Sequence, residues 1–183
     1  MAVTTDLSVL SVSIVPMRWW HVEAVLAIER EVFADEPWTS TMFWSELAEW
    51  ETRSYVVALT EHVPGDAGEV VGYAGLCVYP DEAFVQTLAV RPDHRRRGIG
   101  ARLLQRLIAE AARRGAPTLS LEVRADNAVA QHLYESHGFR RCGIRKGYYA
   151  FGTVDAVVMS RVLRATDVPD GTQADGASPA APA

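Results

Sequence analysis

Cysteine is scarce: Cys77 and Cys142 are the only two in 183 residues, far apart and outside any CxxC or Cys/His cluster. That usage excludes a zinc knuckle or a redox pair and fits buried or bystander thiols in a reducing compartment. No disulfide is needed, because a chain of this length buries roughly 70% of its unfolded surface in its own core. Long apolar runs are missing too. Charges or prolines break every stretch before the roughly 20 residues of a membrane span. No basic leader precedes the first apolar residues and Asp6 interrupts them, so a soluble, cytoplasmic protein with no membrane partner is expected. Nor is there an excess of positive charge. Lys and Arg number 18 against 23 Asp and Glu, a net charge of −5, which gives no electrostatic case for a direct nucleic-acid partner. The five histidines form no HExxH pattern and His132 and His137 stand five apart, so no metal site is expected.

What is present is an ordinary globular composition, 49% hydrophobic and 22% charged. One folded domain is expected over residues 11–164. A flexible segment, 1–10, precedes it and a disordered Ala/Pro/Asp-rich tail, 165–183, follows, too poor in apolar side chains to offset its ordering entropy. Within the domain, Ser11–Val15 reads as a strand and Arg18–Phe33 as a helix with Val22, Val25, Leu26, Val32 and Phe33 on one stripe. Glu29 falls on that stripe and either snorkels to its edge, the favoured reading, or serves a site. After Pro37-Trp38, Thr39 or Ser40 can cap a second helix running to about Trp50. Trp19, Trp20, Trp44 and Trp50 read as core, with Trp38 set apart for its place before that helix.

Three strand-like runs follow, Ser54–Leu59, Val70–Tyr79 and Phe84–Val90. Turns at Pro64-Gly65-Asp66 and Pro80-Asp81 make them an antiparallel meander. From Gly98 the period becomes helical, with Ile99, Leu103, Leu107 and Ala111 in line, until Arg113-Arg114-Gly115 stops it. Thr118–Arg124 alternates strictly and reads as a strand. Asp126 is placed as the cap of a helix to about His137, and two strands, Phe139–Tyr149 and Val154–Leu163, close the domain. The class is mixed α/β.

The sharpest local feature is the turn Arg95-x-x-Gly98-x-Gly100 between the strand ending at Val90 and the long helix. Glycines there let backbone N–H groups approach a ligand, and a helix start adds partial positive charge, so the turn is a cradle for an anion such as a pyrophosphate. Leu103 replaces the third glycine of a dinucleotide fingerprint, and no Gly-Lys-Ser/Thr follows to make a Walker loop. Arg91, Arg95, Arg96, Arg97, Arg102 and Arg106 crowd the same region, as a solvated helix face or as a site for a compact anion.

Leu88-Ala89-Val90 followed by that turn resembles the acetyl-CoA motif of the GNAT acetyltransferases. The resemblance implies a GNAT fold: a mostly antiparallel sheet with a parallel central pair and flanking helices. It also implies acetyl-CoA as cosubstrate, with Leu88, Ala89 and Val90 meeting the pantetheine and acetyl carbonyl. Arg95, Arg96, Arg97, Gly98, Ile99, Gly100 and Ala101 would hold the pyrophosphate. LSLEVRADNAVAQHLYESHGF, from Leu119 to Phe139, is similar to the branch of the family that acetylates the N-terminal alanine of a ribosomal protein. Pro37-Trp38, Tyr148-Tyr149 and DAVVM (Asp155–Met159) match it in order. Thr39 follows Pro-Trp where serine is usual, and Gly147 stands where a larger polar residue is common.

Acetyl transfer to an amine needs a neutral nitrogen, a donor for the charge developing on the acetyl oxygen, and a proton for the departing thiolate. Glu122, mid-strand and opposite the apolar face, is either an exposed strand carboxylate or, with the family match, the general base. Tyr134 is either core packing or the acid that protonates sulfur, and Asn127, seven residues earlier, is placed on the cofactor. A backbone N–H near Val90 is assigned to the oxyanion, and Pro37, Trp38, Tyr148 and Tyr149 to the acceptor peptide. At pH 7.4 roughly a quarter of α-amines but only about a thousandth of lysines are neutral, so one modest base suits an α-amine. Two further readings stand beside a protein N-terminal acetyltransferase: an enzyme for small-molecule or lysine amines, and a non-enzymatic acyl-CoA-binding module.

Overall fold

The segment Val70–Val78, VVGYAGLCV, is buried at every residue, as a strand covered on both faces must be. The rest of the fold is arranged around it. In chain order the elements are β1 (Val12–Pro16), α1 (Val22–Val32), α2 (Ser40–Ala48), β2 (Arg53–Thr60), β3 (Val70–Val78), β4 (Ala83–Val90), α3 (Ile99–Arg113), β5 (Thr118–Arg124), α4 (Ala128–Ser136), β6 (Arg140–Tyr149) and β7 (Val154–Val162). They come from a computed structural model, which describes residues 11–60 and 68–169.

The seven strands form one sheet in the order β1-β2-β3-β4-β5-β7-β6. Every neighbouring pair is antiparallel except β4 and β5, which run parallel and pair only at Ala83↔Leu119 and Phe84↔Ser120. Beyond Phe84 the two strands part. The expected mixed α/β sheet with a parallel central pair is therefore the observed one. In β4 the register against β3 slips after Gly75↔Thr87 and resumes at Leu76↔Val85, leaving Gln86 as an extra residue in a bulge.

Two apolar layers sandwich the sheet. On one face α3 inserts Ile99, Leu103, Leu104 and Leu107, joined by Tyr134 of α4 and by Leu119, Leu121 and Val123 of β5. Leu103, Leu104 and Leu107 are fully buried, each worth about 2 kcal/mol of transferred apolar area. On the other face Val22, Val25, Leu26 and Ile28 of α1 and Phe43 of α2 cover Val57, Tyr73 and Ala89. Phe43 packs its ring against Tyr73 at 5.7 Å and Trp38 at 5.3 Å. No helix among the described residues is long and apolar enough to cross a membrane.

Several expectations change. The helix expected from Arg18 begins as a 3-10 turn at Trp19–His21, and α2 stops at Ala48 rather than Trp50. Trp19, Trp20, Trp44 and Trp50 are exposed, not core, because the stripe of α1 is filled by aliphatics and α2 buries only Phe43. Asn127, not Asp126, caps α4: its side chain accepts from the Ala130 N–H, while Asp126 pairs with Arg124. Just after Arg164, Ala165–Asp167 forms a 3-10 turn whose Asp167 pairs with Arg161 and accepts from the Arg164 N–H at 2.9 Å. Residues 1–10, the Pro64-Gly65-Asp66 turn and most of the tail lie outside the described residues.

Candidate active site

The parting of β4 from β5 opens a gap through the middle of the sheet. The Arg91 N–H donates to the Val71 carbonyl at 2.9 Å, which makes that a hydrogen-bonded pair of the antiparallel ladder. Alternation then turns the backbone groups of Val90 and Leu88 away from β3 and into the gap. The Val90 carbonyl takes the Arg95 side chain, Nε donating at 3.2 Å. The amides of Leu88 and Val90 face the opening.

At one end of the gap the chain turns into α3. Arg96 and Gly98 both take positive φ, 64° and 77°, and Gly98 is the N-cap. Arg96 is a non-glycine residue in the left-handed region, local strain of the kind that collects at ligand sites. The first helical bond runs from the Arg102 N–H to the Gly98 carbonyl at 3.1 Å, and no side chain caps the helix. The amides of Ile99, Gly100 and Ala101 thus precede the ladder and point out of the helix start. Gly100 sits close to its neighbours, since a Cβ there would lie 3.5 Å from Leu133 of α4 and 3.8 Å from Val90. Among the described residues Arg95, Arg96, Arg97, Arg102 and Arg106 have no carboxylate partner, whereas Arg91 is held by Asp93 and Glu69. Arg95, Arg96 and Arg97, without counter-charge in the turn beside the uncapped amides, fit a pyrophosphate, and Arg91 leaves the set.

Glu122 and Tyr134 lie on opposite faces of the sheet. Tyr134 belongs to the α3–α4 layer, its ring 5.8 Å from Phe139, and burial pushes its phenol up to about 12. Its hydroxyl makes no hydrogen bond among the described residues. Glu122 points to the α1–α2 side, where Arg145 of β6 pairs with it. Arg145 also lies over the Tyr148 ring, 4.2 Å from its centre. A hydrogen bond to Glu122, then burial, raises the Tyr148 phenol above its ordinary range. Tyr149 donates its hydroxyl to the Glu122 carbonyl oxygen at 3.1 Å, and burial raises it as well. The base candidate therefore sits within a cluster of one arginine and two tyrosines. Asn127 uses its side-chain oxygen for the α4 cap, and its NH₂ has no partner among the described residues.

Across from this cluster, Trp38 and Gln86 border an open cleft of about 260 Å³ with Thr41, Met42, Ser45 and Glu46. Pro37 is exposed beside it. The loop before α2 is fastened at two points. Asp35 reaches Arg124 at the end of β5, 3.4 Å away, and the Trp38 N–H donates to Glu29 Oε1 at 2.9 Å. Glu29 does not snorkel. It is 1% exposed, its Oε2 has no partner among the described residues, and burial raises its carboxyl to about 7. Gly147, in the β6 stretch beside Tyr148, has φ +57°, and a Cβ there would sit 2.9 Å from the Gly152 carbonyl oxygen. That explains why no larger side chain stands at the position.

The residues that sequence reasoning missed are Arg145, Arg124 and Asp35. They lie on β6, at the end of β5 and in the α1–α2 loop, far apart in the sequence, and β6 carries two register slips against β7 that no periodicity announces. Only the run of two tyrosines after Arg145-Lys146-Gly147 hinted that this strand mattered.

A sheet split between parallel strands, with uncapped amides at one end of the split and a carboxylate and a phenol on its two faces, defines an acyl-transfer enzyme that holds an anionic carrier. The chain belongs to the acetyltransferase (GNAT) family, whose profile matches residues 19–139. It is 41% identical over 126 residues to the ribosomal protein bS18-alanine N-acetyltransferase of Escherichia coli K12, covering 68% of this chain and 80% of that one. It is 40% identical over 139 residues to the N-alpha-acetyltransferase RimI of Mycobacterium tuberculosis, covering 73% and 82%. The crystal structure of the ribosomal-protein-S18-alanine N-acetyltransferase from Escherichia coli superposes with a TM-score of 0.72 at 35% identity, covering 84% of this chain and 94% of that one. The activity is acetyl transfer, and acetyl-CoA is the donor the family uses.

Proposed function

We propose that this enzyme acetylates the α-amine of an N-terminal alanine, and that its protein acceptor is ribosomal protein bS18. The observation that carries the acceptor is the likeness to the Escherichia coli enzyme, which extends over 80% of that protein. The geometry supports a role for each residue. When bound, acetyl-CoA brings an activated thioester. The amides of Ile99, Gly100 and Ala101, with Arg95, Arg96 and Arg97 around them, hold its pyrophosphate. Leu88 and Val90 line the pantetheine, Ala89 between them being turned to β3 and buried in the α1–α2 layer, and the Val90 N–H donates to the acetyl oxygen as charge develops there.

The acceptor reaches the gap from the face of Glu122, between Pro37-Trp38 on one side and Tyr148-Tyr149 on the other. Glu122 takes the amine proton, directly or through water, while Arg145 and Tyr148 hold the carboxylate and Tyr149 bonds the backbone carbonyl behind it. Tyr134, on the opposite face, donates toward sulfur as it leaves, and Asn127 adds its NH₂ at the cofactor. With its phenol near 12 the tyrosine is fully protonated at neutral pH. A free thiol titrates near 8.5, below the phenol, so Tyr134 acts first as a hydrogen-bond donor to the sulfur as negative charge develops there.

The test mixes the protein with acetyl-CoA and three acceptors: a peptide beginning with alanine, its Nα-blocked twin containing lysine, and a polyamine. Thiol release is expected with the first alone. Equal rates on the blocked and free peptides would remove the α-amine reading, and release only with the polyamine would place the enzyme among small-molecule acetyltransferases.

A further inference from the structure

Glu29 is the buried ionisable group that the chemistry above does not use. Its neighbours on α1, Val25, Leu26 and Ile28, are the aliphatic stripe that meets the sheet, and a leucine or methionine would continue that stripe without taking a carboxylate out of water. One oxygen, Oε2, has no partner among the described residues, a further cost to the fold. What the residue does provide is a single bond, from the Trp38 N–H to Oε1 at 2.9 Å, nine residues along the chain. Trp38 in turn rests on Phe43 and borders the cleft with Gln86, the bulged residue of β4. The second fastening of the loop, Asp35 to Arg124, is a solvent-exposed ion pair at 3.4 Å and holds weakly by comparison.

We propose that Glu29 is a positioning residue for the acceptor: through the Trp38 amide it holds Pro37-Trp38 against the bulged stretch of β4 and so sets one wall of the acceptor groove. This rests on the reading of Pro37-Trp38 as that wall. A bond in the interior reaches the loop by its backbone, so the wall is set whatever the side chains of the loop do.

The experiment compares the full-length protein with Glu29→Gln and Glu29→Leu. A glutamine carbonyl can still accept from Trp38, so Glu29→Gln keeps the acceptor KM within about twofold. Glu29→Leu cannot, and raises the KM of the alanine peptide about tenfold, the scale of one lost buried hydrogen bond. Its KM for acetyl-CoA and its kcat at saturating peptide stay at the wild-type value. Hydrogen exchange at the Trp38 amide accelerates in Glu29→Leu and not in Glu29→Gln, while Glu29→Leu melts at or above the wild-type temperature. An unchanged peptide KM in Glu29→Leu overturns the proposal, as does equal impairment of both variants or a loss shared with acetyl-CoA. A wild type that leaves the free alanine peptide untouched marks failure of the acceptor reading and takes the proposal with it. An active wild type beside an indifferent Glu29→Leu sinks the positioning role alone.

Discussion

The two halves of the site are built by different means. The half assigned to the cofactor is made of backbone: amides at the start of α3 and along the open edge of β4, placed by Gly98 at positive φ and by a strand that parts from its neighbour. Its arginine side chains, Arg95, Arg96 and Arg97, are exposed and have no carboxylate partners among the described residues. The half assigned to the acceptor is made of side chains drawn from α1, the α1–α2 loop, β5 and β6, nearly all of them bonded or stacked. A backbone cradle tolerates most substitutions that leave its glycine alone. A side-chain groove is lost one residue at a time, and it carries the ionisable groups.

The largest effect expected of that difference is on stability. Burial raises the Glu29 carboxyl from 4.5 to about 7. The unfolded chain releases this proton near pH 4.5 and the native chain holds it until about 7, so the contribution is full below 4.5 and lost as pH rises through the window. At pH 8 Glu29→Gln should exceed the wild type by up to about 3 kcal/mol, and at pH 4 the two should coincide. Denaturant midpoints of both chains across that range give the difference, which cancels the opposite drift of the salt-bridged carboxylates. Parallel curves would show that Glu29 is not held neutral.

Next in size is Glu122→Gln, expected to lower kcat about a hundredfold, most strongly at low pH where more of the amine arrives protonated. Tyr134→Phe should lower kcat on a similar scale with little change in acetyl-CoA affinity. Wild-type kinetics in either variant would remove that residue's role and leave its half of the site as binding surface only. Gly98→Val, by contrast, acts on the other half. The space around Gly98 is open, so its cost is the φ of +77° alone, and acetyl-CoA should bind about tenfold more weakly while the peptide KM holds. A peptide KM that moved with it would show that the halves are one unit.

The same contrast explains what the sequence made legible. The helical stripe of α3, the alternation of β5 and the turn at Gly98 are contiguous patterns, and their elements lie where periodicity placed them to within a residue or two. The half assigned to the cofactor, Asn127 apart, lies in one contiguous stretch from Leu88 to Ala101, which is why a local pattern could suggest it. Glu122 and Tyr134 emerged through family resemblance, because their meaning depends on which faces of the sheet they occupy. Glu29 was misread for a physical reason. A carboxylate on an apolar stripe ordinarily finds water at the edge, and only the tertiary structure shows that a backbone amide nine residues away comes to meet it. Arg145 faces its partner only after a register slip in β6, and its one local hint was the tyrosine pair that follows Arg145-Lys146-Gly147.

The smallest effect expected is at Arg97, and it tests the comparison from the other side. Arg97 is exposed, has no carboxylate partner among the described residues, and contributes a screened charge to a cradle whose hydrogen bonds come from amides. Arg97→Ala should therefore weaken acetyl-CoA by no more than about threefold near 0.15 M salt, and by less as salt rises, since screening already removes much of an exposed charge's attraction. The dissociation constant measured from low to high salt in wild type and variant separates the two contributions. Curves that converge at high salt leave the backbone as the main holder of the pyrophosphate. A loss of thirtyfold or more that persists there would make the guanidinium a direct ligand and the cofactor half a side-chain site like its counterpart.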